Sequence, residues 1–274
     1  MTHPAPPALS PRRLTVALLA CALSAGCSTF GVQREQVTPQ RPSISENTQT
    51  TAYGTFESEI GLRYDPTDEY AVETRTSVGL SPKSELFAIW DVFRDLDSGQ
   101  ILNDVDGDGE DETGTGDIIV GFKQRLLDET ETLPATAIAI STSLPTGSDD
   151  GEISSGEIDW FGALIADRTF GRLSLTGFYQ LGILGTPDVG DVDSRHTFAI
   201  DGTWALDEKI NVGAELATLI EAEIDQEPVL LTAYGQYELN PSMMLDAGMR
   251  IGLSEDSPDV VFLIGLTTNL GRFF

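Results

Sequence analysis

The sequence predicts an all-β protein, namely a transmembrane, up-and-down antiparallel β-barrel of about twelve strands. First, stretches of roughly ten residues alternate apolar and polar side chains from Thr55 onward. Gly, Pro, Asp and Ser clusters separate these stretches, as is typical of strands joined by turns. Second, short and long connections alternate along the chain. Third, no apolar run after residue 26 is long enough for a membrane-spanning helix.

Residues 1–26 form a predicted export signal of the lipoprotein type. They contain no acidic residue, and Arg12 and Arg13 precede an apolar run over residues 14–23. This run is shorter than the roughly 20 residues of a transmembrane helix. Small residues then lead to Cys27, which we expect to be lipidated after cleavage, with ordinary signal cleavage as the alternative. Because both cysteines lie in or directly after the signal, no disulfide framework is expected.

Residues 27–54 differ in composition from the rest of the chain. They are rich in Gln, Thr, Ser and Pro, and no hydrophobic periodicity runs through them. This composition predicts a flexible periplasmic tether. The barrel is then expected to span residues 55–274, and the sequence leaves open whether residues 28–54 enter its lumen.

Period-two alternation divides the barrel region into strands. The last strand shows the pattern most clearly, because Val260, Phe262 and Ile264 share one face while Gly265 and Thr267 lie on the other. Strands are predicted near 55–64, 69–80, 84–94, 116–127, 134–144, 157–167, 172–184, 195–206, 209–219, 228–239, 243–253 and 259–273.

The connections between these strands fall into two classes. Segments such as 81–83 and 207–208 are short, whereas 96–115 and 145–156 are longer and acidic. Transmembrane barrels have short periplasmic turns and longer outside loops, whereas a soluble periplasmic β-sandwich lipoprotein, the alternative, has no reason to alternate them. An even strand count places both barrel ends in the periplasm. We therefore expect a protein of the Gram-negative outer membrane with a periplasmic N-terminus, and Phe274 ends the kind of amphipathic strand that the barrel-assembly machinery recognises.

If the apolar face of each strand points to lipid, the opposite face lines the lumen. Basic residues are scarce after the signal, yet those on the strands fall mainly on this inner face. The predicted lumen-lining residues are Glu57, Glu59, Arg63, Glu73, Arg75, Lys123, Arg125, Asp201, Glu215, Glu238, Asp246 and Arg250. Two interpretations stay open: a ladder of ion pairs that fills the interior, or an eyelet that selects solutes by charge. A barrel of this size is expected to hold a narrow or partly plugged pore.

The net charge of −28 argues against nucleic acid as a partner. The expected partners are outer-membrane lipid, lipopolysaccharide and small-molecule solutes. In one long loop, Asp104, Asp106 and Asp108 are spaced like the first ligands of an EF-hand calcium loop, but Thr115 stands where the twelfth-position Glu is needed. The 104–115 loop is thus either a calcium site or a solvated acidic loop. No other cofactor is predicted.

Ser194 and His196 lie two residues apart on one face of a predicted strand. A serine activated by a histidine is the core of a hydrolase site, and lipid substrates would meet it from the membrane side. No third polar residue is evident beside the pair, so an outer-membrane lipid hydrolase is an alternative rather than the main hypothesis. The protein is expected not to be an enzyme.

Two stretches carry a family resemblance. The strand GDIIVGFKQRLL at 116–127 and the later SLPTG at 143–147 resemble the family described as putative MetA-pathway of phenol degradation. The resemblance implies an outer-membrane barrel of transporter type, associated in some members with uptake of aromatic compounds. The main hypothesis is accordingly a channel for passive passage of small solutes, aromatic or hydrophobic ones included. The second is a closed structural or surface-interaction barrel with acidic cation-binding loops.

Overall fold

The computed structural model describes residues 36–66, 69–96, 112–148, 153–154, 156–185, 192–221 and 227–274. These residues form one antiparallel β-sheet. Its strands are β1 (Thr55–Tyr64), β2 (Glu69–Ser81), β3 (Ser84–Leu96), β4 (Glu112–Gly114), β5 (Ile118–Leu127), β6 (Ala135–Leu144), β7 (Asp159–Phe170), β8 (Leu173–Gly185), β9 (Val192–Ala205), β10 (Ile210–Glu221), β11 (Val229–Asn240), β12 (Met243–Gly252) and β13 (Val260–Arg272). Within the described ranges, no helix is long and apolar enough to cross a membrane.

The sheet closes on itself into a barrel of twelve strands. β1 pairs with β2 on one side and with β13 on the other, so the first and last strands join. β5 continues the barrel from β3, whereas the three-residue β4 pairs only with the end of β3. Closure leaves no open edge, as a sheet in hydrocarbon requires. The predicted twelve-strand barrel is therefore confirmed, and β4 is an addition that alternation did not reveal.

The two ends of the barrel differ in their connections. At one end, here called the turn end, strands are joined by short segments such as 82–83 and 171–172. The turn at Gly171 has a backbone φ of +64°, a region that favours glycine. At the opposite loop end, longer segments such as 145–158 join the strands. β1 begins and β13 ends at the turn end, because the two strands pair antiparallel over their whole length.

The barrel is apolar outside and polar inside. On β9, Ile200 is 67% exposed whereas its neighbour Asp201 is 5% exposed. Other large apolar side chains exposed on the outer surface are Ile140, Trp160, Leu164, Phe198 and Ile264. Polar side chains buried on the inner face include Glu57, Glu85, Lys123, Glu215 and Thr232. This arrangement reverses that of a soluble protein and fits a lipid solvent.

Candidate functional site

Residues 36–54, here called the plug segment, lie inside the barrel. The segment begins at the turn end, where the Val37 amide donates a hydrogen bond to the Pro241 carbonyl at 3.0 Å. It ends there too, where the Gly54 amide donates to the Gly79 carbonyl at 2.8 Å. Between these points it contacts the inner wall. The lumen is therefore occupied by a loop of the chain that enters and leaves at the same end.

This position differs from the interpretation of residues 27–54 as a flexible tether, for the part that the structure describes. Residues 27–35, with the predicted lipidation site Cys27, lie outside the described residues. A polar segment cannot pack a hydrophobic core, but this lumen offers buried carboxylates, and buried carboxylates need hydrogen-bond donors. A segment rich in Gln, Thr and Ser supplies those donors from its hydroxyl groups and its backbone.

Five wall carboxylates bind backbone amides of the plug segment. Glu57 accepts a hydrogen bond from the Thr38 amide at 3.0 Å, and Glu59 accepts one from the Gln40 amide at 3.0 Å. The others join Thr48 to Asp167 (2.7 Å), Thr51 to Glu85 (2.6 Å), and both Ile44 and Ser45 to Glu215 (2.7 Å each). A hydrogen bond to a charged group contributes about 1.5–3 kcal/mol. The segment is thus held largely through its backbone.

Residues 41–45, here called the apex, connect different walls of the barrel. The Arg41 amide donates to Glu59 on β1 at 3.1 Å, whereas the Ile44 amide donates to Glu215 on β10. Three strands, β13, β12 and β11, separate these two walls on the shorter way round. A segment that bridges two distant walls obstructs movement along the barrel axis.

The guanidinium of Arg41 occupies a slot in the wall. Gly61 on β1 and Gly265 on β13 are paired residues, and a Cβ at either position would overlap the Arg41 guanidinium. Glu73 accepts a hydrogen bond from Arg41 Nη1 at 2.8 Å, and Asp246 Oδ1 lies 3.8 Å from its Nε. Two adjacent glycines on paired strands and two carboxylates therefore make a flat recess for a planar cation.

Lys123 is the centre of a second charged cluster. Its side chain is fully buried, and its Nζ lies 3.2 Å from Glu46 of the plug segment and 3.3 Å from Glu85 on β3. Arg75 completes the cluster, with its Nη2 2.7 Å from Glu85 Oε1. The buried charges are thus paired, as their cost of desolvation requires.

The remaining predicted lumen residues make mostly polar contacts on the inner face. Arg125 Nε donates to the Thr48 carbonyl at 3.0 Å, and Arg250 Nε donates to Thr232 Oγ1 at 3.1 Å. The other contacts join Arg63 to Glu69 and Glu73, and Asp201 to the Tyr234 hydroxyl (2.8 Å), while Glu238 is half-buried near the turn end. The ion-pair interpretation describes this arrangement better than a ring of free charges does.

Sequence reasoning missed Glu85 and Asp167, two of the carboxylates that bind the plug segment. On β3 the alternation was ambiguous, because Phe87 and Ile89 share the inner face with Glu85. An inner face that carries two large apolar residues resembles a lipid-facing one. These carboxylates face the lumen, where the plug segment binds them, and the residue pattern of a single strand gives no sign of that partner.

The lumen also contains an apolar patch. Residues from six strands form it, and we call it the apolar belt: Phe87, Ala137, Ala139, Ala163, Ile165, Phe178, Ala199 and Ala217. Ile44 of the apex and Ile89 of β3 pack against it. Ile44 and Ser45 are therefore held by their amides on Glu215 and by the Ile44 side chain on this belt, in addition to the contacts of Arg41 with Glu59 and Glu73.

The plug segment separates two cavities. One, of about 630 Å³, lies beside the segment toward the turn end and is lined by Asp167, Asp201 and Tyr234 among others. The other, of about 290 Å³, lies beyond the apex toward the loop end; we call it the apex cavity. Arg41 and Ser45 line both cavities. The partition between them thus includes the apex itself.

The predicted calcium ligands Asp104, Asp106 and Asp108 lie outside the described residues. Among the residues that are described, no group of three or more His, Cys, Asp or Glu side chains is placed to hold a metal ion.

Ser194 and His196 lie on the lipid-facing side of β9, where strand alternation predicted a shared face. His196 Nδ1 lies 3.0 Å from the Tyr179 hydroxyl, and its ring stacks with those of Tyr179 and Phe198. The histidine therefore belongs to an aromatic cluster on the outer surface. A tyrosine hydroxyl does not orient a histidine base as a carboxylate does.

The two motifs that carry the family resemblance meet in the structure. Asp117 Oδ1 accepts hydrogen bonds from the Thr146 amide (2.9 Å), the Gly147 amide (2.8 Å) and the Ser154 hydroxyl (2.8 Å). The strand β5 follows Asp117, and its partner β6 leads into the 145–147 turn. The aspartate thus ties a loop-end connection to the barrel wall.

Solved structures with a similar fold are outer-membrane barrels. The COG4313 outer membrane channel from Pseudomonas putida F1 matches with a TM-score of 0.58 and 11% identity, over 85% of this chain and all of that one. The NanC porin matches with a TM-score of 0.53 and 10% identity, over 78% of this chain and 98% of that one. The KdgM porin matches with a TM-score of 0.54 and 8% identity, over 77% and 98%. At these identities the likeness shows the fold.

Sequence comparison gives the family. No curated protein matches this sequence. The profile of the family described as putative MetA-pathway of phenol degradation matches residues 40–270, which include most of the plug segment and nearly all of the barrel. The chain therefore belongs to the putative MetA-pathway of phenol degradation family.

Proposed function

We propose that the protein is an outer-membrane channel for the passive passage of small solutes, and that the plug segment controls this passage. The observation that supports the proposal is that the apex, rather than large side chains of the wall alone, separates the two lumenal cavities. Similar folds occur in a protein described as an outer membrane channel and in two porins, which agrees with this role.

The solute class that we propose is small and aromatic or hydrophobic. The family description refers to phenol degradation, and the lumen wall carries an apolar belt that a channel for ions alone would not need. An eyelet that selects by charge fits less well, because many of the lumenal charges are already paired with one another or with the plug segment.

The proposed orientation places the turn end in the periplasm, since transmembrane barrels have their short turns on that side. The plug segment would then enter from the periplasm, next to the predicted lipid anchor on Cys27. Both ends of the segment are attached at the turn end. It could leave the lumen on the periplasmic side without breaking the β1–β13 pairing that closes the barrel.

Planar-bilayer conductance tests the channel. We expect small currents from the full-length protein and larger, stable currents from a variant that lacks residues 38–48. Altered electrophoretic mobility before heating serves as the control that both proteins are folded barrels. A folded barrel without residues 38–48 that conducts no better than bare lipid, together with unchanged solute uptake by a deletion strain, would refute the proposal.

A closed structural barrel is the second candidate, and the fully buried Lys123 cluster favours it. In that case the plug segment is a permanent part of the core. The same deletion would then lower the stability of the barrel and leave its conductance at background.

A further inference from the structure

We infer that the apolar belt is the solute-binding surface of the channel and that Ile44 occupies it as a placeholder. Solute and apex would then compete for one surface, so that binding of solute releases the apex. This inference rests on the proposed function and adds to it the location of the site and the means of opening.

The composition of the belt supports a ring-binding surface. Five of its eight residues are alanines from β6, β7, β9 and β10, and they leave a shallow wall on either side of the Phe178 ring on β8. A flat apolar surface with an aromatic ring in it suits a planar solute ring, because aromatic pairs gain from edge or offset contacts beyond simple burial. Elsewhere the inner face is dominated by buried polar residues such as Glu57, Lys123 and Thr232.

The side chain of Ile44 is held less firmly than its backbone. It is only partly buried against the belt, and the amides beside it are bound to a single carboxylate, Glu215. Burying an isoleucine side chain contributes about 1.5–3 kcal/mol. A solute with one aromatic ring buries comparable apolar area, so it can replace Ile44 without a large net cost.

The apex cavity brings a solute to Ile44 and Ile89, the two side chains that pack against the belt. Ile44, Ile89 and Leu263 form its apolar side, and Arg250 and Asp91 are among its polar lining. Its volume of about 290 Å³ exceeds the roughly 150 Å³ that accommodates benzene in an engineered protein cavity. The polar lining could bond a hydroxyl while the ring faces Ile44. One-ring phenolic compounds therefore match the cavity in size and chemistry.

Two interior substitutions and one exterior control test the inference on full-length protein in micelles, with 4-fluorophenol as the probe and fluorine NMR titration as the readout. Ile44→Ala removes the placeholder, so the dissociation constant should fall several-fold relative to the unmodified protein. Ala199→Thr places a hydroxyl and extra volume in the belt, so it should weaken binding at least as much. Ile200→Thr changes the adjacent lipid-facing residue and should leave specific binding unchanged, which corrects for partition into detergent.

The outcomes separate this inference from the proposed function. Equal affinities in the Ile44→Ala, Ala199→Thr and Ile200→Thr variants, all shown to be folded by heat-shifted electrophoretic mobility, would overturn the inference even if the protein conducts. Affinities in the expected order, with no permeation of 4-fluorophenol into protein-containing liposomes, would support the binding site and refute the channel. Weaker binding in Ile44→Ala would show that Ile44 is a contact rather than a placeholder and would overturn the inference.

Discussion

Replacing Glu215 by glutamine should loosen the apex while leaving the barrel intact. The carboxylate of Glu215 accepts hydrogen bonds from the Ile44 amide, the Ser45 amide and the Ser45 hydroxyl. A glutamine side chain has one oxygen to accept these bonds, and its NH₂ group would face donors. The substitution thus removes a charge and leaves at least one apex amide without an acceptor.

The size of the effect follows from these bonds. Hydrogen bonds to a charged group contribute about 1.5–3 kcal/mol, whereas neutral ones contribute about 0.5–1.5 kcal/mol. Losing the charge and about one acceptor should therefore make the free energy of apex docking less favourable by on the order of 2–4 kcal/mol. Since about 1.4 kcal/mol is a factor of ten in an equilibrium constant, the undocked population should rise roughly 30- to 1,000-fold.

Thiol accessibility measures this population. Ser43 lies at the apex, and Ser43→Cys gives a labelling site for a membrane-impermeant maleimide. The Glu215→Gln change should accelerate labelling of this cysteine and raise the open fraction in single-channel records. The matched control is Glu221→Gln, because Glu221 is also on β10 but bonds Arg195 at 2.9 Å rather than the plug segment. Equal labelling rates in the two variants would refute the reasoning.

Three further changes probe the slot, the buried cluster and the loop-end tie. Gly265→Ala should expel the Arg41 guanidinium from its slot and raise conductance. The control Gly235→Ala should leave conductance unchanged, because a Cβ at that position meets only the Asn211 carbonyl oxygen, at 3.8 Å. Lys123→Met leaves Arg75 as the one remaining cation for Glu85 and Glu46 in this cluster, and should lower the free energy of unfolding in urea titrations by up to about 3–5 kcal/mol. Lys83→Met, at an exposed pair, should change it little. Asp117→Asn should increase proteolysis of the 145–154 connection, measured as the rate of cleavage by an added protease, with unchanged heat-shifted mobility.

The barrel was predictable because its strands carry local signals. Membrane-spanning strands must alternate apolar and polar residues, and Ile200 beside Asp201 shows the contrast within one pair of neighbours. The alternation of short and long connections indicated the up-and-down order of the strands and the end of the barrel at which the termini lie, which no single strand shows. Most of the wall charges followed from the same parity, and Glu57, Glu59 and Glu215 are buried on the inner face as the alternation implies.

The plug segment was not predictable by the same reasoning, because its position depends on residues far away in the chain. Ile44 bonds Glu215, 171 residues later, and Thr48 bonds Asp167, 119 residues later. Neither hydrogen bond produces a hydrophobic periodicity in the sequence of residues 36–54. Low hydrophobicity predicted a flexible tether and left open whether the segment enters the lumen, because a polar segment can pack inside only where the wall offers buried polar partners.

The polar character of the plug segment is also what makes it suitable as a gate. Its bonds to wall carboxylates can be exchanged for bonds to water, so each contributes far less in net free energy than in isolation. Apart from Ile44 on the belt, its described contacts with the wall are largely hydrogen bonds and ion pairs. A plug built of leucines would be held by apolar area that no small solute could match. Within residues 41–45, Ile44 is the side chain that packs on the belt, so a solute that covers the same patch can compete with the closed state, and this is why Ile44 is the decisive position to change.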